Sequence, residues 1–229
     1  MPANAAEKSA FWSWIIPAAR EAQARTGLPW QVLAGQASIE SGYGTSSLAR
    51  GINNYFGIHD SARNPGPGAV RCDNPPAWCK AFDSATASVT YYANLVANNP
   101  IYRGAQQFRH DPYKYITAVW ASGYAEHRDY ARMVATRMRE ADPNLPPVPA
   151  AVEALWSQIG AIATTGTDNP ARQALIAQLA SSPDTPGGGN MMANVGVWAL
   201  PVAGVVGAAV LVAGGLWWYF RSRGRRSRR

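Results

Sequence analysis

The sequence predicts a mainly α-helical domain with a small flap or hairpin, followed by one C-terminal transmembrane helix. Three observations predict this. Upstream of residue 142, apolar side chains recur at helical spacing in one segment after another. One stretch, 60–80, breaks the pattern with four prolines and two glycines. Far downstream, residues 195–220 carry no charged side chain.

The elements follow in order. Residues 9–25 place Phe11, Trp12, Ile15, Ile16 and Ala19 on one side of a helix. Thr26-Gly27-Leu28-Pro29 ends that helix and starts the next, 29–39, which carries Val32, Leu33, Ala37 and Ile39. Residues 41–58, rich in Gly, Ser and Asn, predict a structured loop lining a cleft, and 60–80 an extended flap or short hairpin. Helices are expected at 84–98, with Asp83 or Ser84 as N-cap, at 112–121 and at 127–141. The proline-rich run from Asp142 to Pro149 marks a boundary. Two short helices, 152–163 and 170–179, are expected beyond it, then a linker around Gly187-Gly188-Gly189. The division is a folded domain at 1–142, a Pro/Gly-rich spacer with short helices at 143–194, a transmembrane helix at 195–220 and an Arg-rich tail at 221–229.

At the helical rise, the 26 uncharged residues of 195–220 span about 39 Å, more than the hydrocarbon of a bilayer. Trp198 near one end and Trp217-Trp218-Tyr219 at the other suit the two interfaces. Six arginines follow: Arg221, Arg223, Arg225, Arg226, Arg228 and Arg229. They predict a cytoplasmic C-terminus in a cell membrane, with the folded domain on the outside. They would bind anionic headgroups, at about 1 kcal/mol each near the surface. DNA is the less favoured partner. Removing those six from the net charge of +7 leaves +1, so a basic nucleic-acid face across the main body is not indicated.

Glu40 is the leading candidate for chemistry. It ends a largely apolar helix, where the helix dipole and burial both disfavour a negative charge. Both push its carboxyl toward the protonated form that a general acid needs near neutral pH.

Glu40-Ser41-Gly42-Tyr43-Gly44-Thr45-Ser46, then Asn53-Asn54-Tyr55-Phe56-Gly57-Ile58, then Gly123-Tyr124-Ala125 and Tyr130-Ala131 occur in order at wide spacing. Over about residues 11–139, the chain resembles the glucosaminidase family, which includes the muramidase domain of the flagellar rod-cap protein. The resemblance implies a lysozyme-like helical fold and cleavage of peptidoglycan glycan strands. It makes Glu40 the catalytic acid and brings Tyr124 close to it, where a phenol binds sugar or positions water. The alternative for Tyr124 is a packed side chain at a helix boundary. Tyr43, Asn54, Tyr55 and Phe56 follow the motifs and are expected to line the substrate groove, although Phe56 equally suits the core.

Glycosidases usually need a second carboxylate. Family members often supply a glutamate from a mobile hairpin after the Phe-Gly-Ile motif, but residues 59–82 contain none. The acids there are Asp60 and Asp73, and Asp73 is the candidate, with a turn residue before Asn74-Pro75 as the alternative reading. Cys72 and Cys79 bracket the same short loop and read as a disulfide in an oxidising compartment, or else as two free thiols. His59, His110 and His127 show no zinc-ligand spacing, and no cofactor or metal is expected.

The expectation is a membrane-anchored peptidoglycan glycosidase, an endo-β-N-acetylglucosaminidase or muramidase, that opens the wall locally within a larger envelope or virion assembly. Met1 to Ala10 is polar, and no cleavable signal peptide is recognised. That suits a component of a phage with an internal membrane, acting on entry, and a cellular envelope protein such as a conjugation-channel or flagellar wall opener is the alternative. One rival is a lytic transglycosylase working with a single acid. Another is a non-catalytic peptidoglycan binder that anchors an assembly, and a third is a bacteriolytic effector or lysis regulator.

Overall fold

The computed structural model describes residues 2–60, 64–72, 77–162 and 170–183. The expected transmembrane helix 195–220, the arginine tail and Asp73 lie outside these residues. No helix among the described residues is long and apolar enough to cross a membrane.

Helix α1 spans Ala5–Thr26 and starts four residues before the predicted boundary. Its polar start is a capping box: Asn4 accepts from the Glu7 backbone N–H, and the Glu7 carboxylate accepts from the Asn4 N–H. Gly27, at φ 73°, closes its other end. Helix α2 runs Trp30–Glu40 and is buried along its whole length, so its periodicity is weak. Helix α3 (Ser47–Ile52), capped by Ser46, stands where a loop was expected. Helix α4 (Ala85–Asn98) is capped by Ser84, and a 3₁₀ helix (Pro100–Phe108) leads to α5 (Pro112–Ala121) and α6 (Tyr130–Ala141).

The 60–80 stretch forms a small antiparallel sheet. Strands β1 (His59–Asp60) and β2 (Val70–Arg71) both pair with β3 (Trp78–Cys79), which lies in the centre. Cys72 and Cys79 form a disulfide, with Cα atoms 5.5 Å apart.

Helices α7 (Ala150–Ala161) and α8 (Pro170–Ser181) occupy the segment expected as a spacer. Both pack on α5, and Val152, Leu155, Trp156, Ile159, Leu175, Ile176 and Leu179 join the same hydrophobic core as the upstream helices. The Trp156 indole donates to Thr117 Oγ1 at 2.6 Å, and Lys114 Nζ donates to the Ser182 carbonyl. Apolar burial therefore continues well past the proline-rich run.

The contact that matters most for the site is between α2 and α6. Gly35 permits it. A Cβ there would meet Met138 Cγ and the Val134 carbonyl at 3.2 Å each. With no side chain in the way, α6 lies close enough to bring its first residue, Tyr130, against the last residue of α2.

Candidate active site

Glu40 terminates α2, and the backbone then turns through Gly42 (φ 58°), Tyr43 (φ 59°) and Gly44 (φ 75°). Three successive left-handed residues reverse the chain at once, leaving the Glu40 carboxyl at the helix end. Glycine adopts this region freely, but Tyr43 does so only at a cost. Its side chain is held on several sides: the hydroxyl donates to Glu140 Oε2 at 2.5 Å, Phe11 and Trp12 pack edge-on, and Lys8 lies over the ring.

Glu40 is buried, with 9% of its surface exposed. Burial pushes its pKa up to about 8, and a hydrogen bond from Tyr130 partly opposes the rise. Tyr130 donates its hydroxyl proton to Glu40 Oε1 at 3.0 Å. The Gln36 Nε2 group donates to the Tyr130 oxygen at 3.1 Å, and the Tyr92 hydroxyl donates to Gln36 Oε1 at 3.0 Å. At neutral pH the carboxyl thus keeps its proton, with one oxygen accepting from a phenol.

The structure brings Tyr124 into the same cluster. Its ring packs on Tyr92, Tyr102 and Tyr130, with the Tyr130 centroid at 5.4 Å. Glu40's charge contributes to holding the Tyr124 phenol well above its ordinary pKa, behind burial and Tyr130. Although coupled electrostatically to Tyr92, the Tyr124 hydroxyl has no hydrogen bond of acceptable geometry among the described residues.

The groove-lining expectation needs correction for Asn54 and Phe56. Asn54 is sealed, and its amide donates to the carbonyls of Ile58 and Lys80 and accepts from the Ile58 N–H. It clamps the base of the flap to the loop before it. Phe56 is fully buried, stacked on Tyr92 with centroids 4.0 Å apart. Tyr43 is likewise engaged in packing and a carboxylate bond. Tyr55 is half-buried against Trp14 and keeps some surface. Polar and aromatic character looks the same in sequence whether it serves a sugar or the protein's own backbone.

Sequence reasoning missed Tyr130 and Gln36 as site residues. Both carry a signal in retrospect: Gln36 lies one helical turn before Glu40, and Tyr130 belongs to the third motif. In the flap, a His59 ring nitrogen lies within 4.8 Å of both cysteine sulfurs, but these are bonded to each other and present no thiolate to a metal.

Fold and site together define a small helical domain that holds one protonated carboxyl at the end of a buried helix, over a floor of tyrosines. The chain belongs to the glucosaminidase family, whose model, described as mannosyl-glycoprotein endo-beta-N-acetylglucosaminidase, matches residues 16–143. The peptidoglycan hydrolase FlgJ of Pseudomonas aeruginosa is 27% identical over 143 residues, covering 57% of this chain and 36% of FlgJ. Protein bax of Escherichia coli K12 is 34% identical over 85 residues, covering 36% of this chain and 28% of bax. The chain thus spans about a third of the length of these curated relatives. Among solved structures, the catalytic domain of the autolysin Auto from Listeria monocytogenes shares the fold, with a TM-score of 0.50 at 21% identity. The match covers 69% of this chain and 90% of that one.

Proposed function

We propose that this protein is a peptidoglycan glycosidase of the endo-β-N-acetylglucosaminidase type, with Glu40 as its general acid. The observation that carries this is the Glu40 carboxyl itself: it is protonated up to about pH 8 by burial and held in one orientation by Tyr130. Such a group protonates the glycosidic oxygen as the bond to the anomeric carbon breaks, and the departing sugar leaves as an alcohol. The tyrosine floor supports the reading, since the Tyr124 hydroxyl, close to Glu40, suits a sugar hydroxyl or the attacking water. FlgJ's description as a peptidoglycan hydrolase points to the substrate. Asp73 is proposed as the second carboxylate, on the loop that the disulfide closes.

A second reading, a lytic transglycosylase, is favoured by one observation. Residues 59–82, where relatives often supply a second glutamate, contain none. With a single acid, the sugar's own hydroxyl closes on the anomeric carbon, and no water is consumed.

The uncharged run 195–220 and the arginines after it support a membrane anchor that keeps the catalytic domain outside the cytoplasm, or in a virion's internal membrane. Anchoring confines wall cleavage to one place, as an assembly that must pass the wall requires.

Digestion of purified peptidoglycan by the full chain, wild type against Glu40→Gln, tests the central claim. Soluble fragments from the wild type alone support Glu40 as the acid. Mass spectrometry of their ends then separates reducing N-acetylglucosamine, reducing N-acetylmuramic acid and anhydro products. A folded wild type that binds glycan and releases no fragments overturns the enzyme reading.

A further inference from the structure

Gln36 lies four residues before Glu40 on α2, so the two side chains stack on one helix face. It is almost completely buried and bonds phenols from two other elements. Tyr92, on α4, donates to Gln36 Oε1, which turns the amide oxygen toward α4 and the NH₂ group toward α6. The NH₂ group then donates to the Tyr130 oxygen. With its oxygen receiving that bond, Tyr130 directs its own proton to the remaining partner, Glu40 Oε1. Tyr92 is in turn held in place by the stacked ring of Phe56.

We propose that Gln36 is a positioning residue for the acid: acting through Tyr130, it commits that phenol's proton to Glu40 Oε1 and so reserves Oε2 for the proton that is transferred. The inference rests on the reading of Glu40 as the acid. Reversing the amide shows what is at stake. The amide oxygen would then take the Tyr130 proton, and protonated Glu40 would have to donate inward to the phenol oxygen. The proton meant for the glycosidic bond would be buried in the tyrosine cluster.

Among the described residues, the groups that face Glu40 are few. Tyr130 on α6, Tyr92 on α4 and Tyr124 on the loop before α6 each interact with its charge. Helix α1 turns Phe11, Ile15, Ala18, Ala19 and Ala22 to the core. On α5, Tyr113 and Tyr115 respond to other groups, and Lys114 reaches Ser182. Donation by Gln36 makes Tyr130 more acidic and therefore a stronger donor to ionised Glu40. Losing Gln36 weakens that donor and raises the Glu40 midpoint further.

The test is a titration of the Glu40 carboxyl by ¹³C NMR in the full chain with labelled glutamate, the resonance being assigned by its loss in Glu40→Gln. Gln36→Met keeps the volume and removes both hydrogen bonds. Its midpoint should move upward, and the basic limb of peptidoglycan cleavage should move with it. In a Tyr130→Phe background the same substitution should move neither, because Gln36 acts through that hydroxyl. A Gln36→Met midpoint equal to wild type, or one that moves equally without the Tyr130 hydroxyl, overturns the proposal even if activity falls. Should Gln36→Met fail to fold, Tyr92→Phe unlocks the amide and should move the midpoint the same way by less. An unmoved midpoint there counts equally against the proposal. Full activity in Glu40→Gln would instead remove the acid reading, while the titration would still report whether the relay exists.

Discussion

The Tyr130 hydroxyl and Glu40 Oε1 meet at 3.0 Å although 90 residues separate them in sequence. One opens α6 and the other closes α2, so the packing of those two helices determines the acid's environment. A substitution that alters this packing acts on the chemistry without touching substrate.

Gly35→Ala is such a substitution. The new methyl would press on Met138 and on the Val134 carbonyl, and a backbone carbonyl yields little. Overpacking should outweigh alanine's better helix propensity, for a net loss of about 1–2 kcal/mol. Activity should fall by more than that loss of stability explains. Thermal unfolding and peptidoglycan cleavage measured on the same preparation check both, and an unchanged rate would separate α6 packing from the acid's placement.

Glu40→Gln should abolish cleavage and stabilise the fold. The folded protein holds the Glu40 proton to about pH 8, whereas the unfolded chain releases it near the ordinary carboxyl value. The unfolded state then binds fewer protons, so wild-type stability is full below about pH 4.5, declines as pH rises and levels off above about pH 8. The total is a few kcal/mol, on the scale of 1.36 kcal/mol per unit. Denaturant unfolding at pH 5 and pH 9 should show the variant's advantage growing with pH. Equal curves at pH 9 would mean that Glu40 titrates normally.

Tyr124→Phe removes a buried hydroxyl that lacks a bond of acceptable geometry. Stability should change little, since any bond lost is the poorly aligned one to Tyr92. Cleavage should drop if that hydroxyl serves sugar or water. Unchanged kinetics would reduce Tyr124 to packing.

Reducing the Cys72–Cys79 disulfide should cost about 2–3 kcal/mol at most, because the bridged residues are only seven apart. The larger effect should fall on KM, as the flap loses its staple. Asp73→Asn, in the bridged loop, should lower kcat while leaving the midpoint of unfolding alone. A variant with full kcat would favour the single-acid route.

Much of the helical frame was legible because each helix carries its own signal. Ser84 caps α4 as expected, and α5 has the predicted ends. The burial of Glu40 was legible from its place at the end of an apolar helix, while its reading as the acid rests on the motifs that follow it. What escaped depends on contacts far apart in sequence. Nothing local reveals that Asn54 clips the flap to the preceding loop, or that Gln36 bridges α4 and α6. The helices beyond Asp142 were expected, but their place in the core depends on Trp156 reaching Thr117 and on the apolar faces of α5.

The bond from Lys114 to the Ser182 carbonyl ties the end of α8 to α5. Twelve residues, 183–194, separate that point from the proposed membrane segment. Fully extended they reach about 40 Å. With the proposed anchor in a bilayer, that reach would set the working radius of the domain: cleavage would fall on the glycan nearest the bilayer and spare more distant layers of the wall.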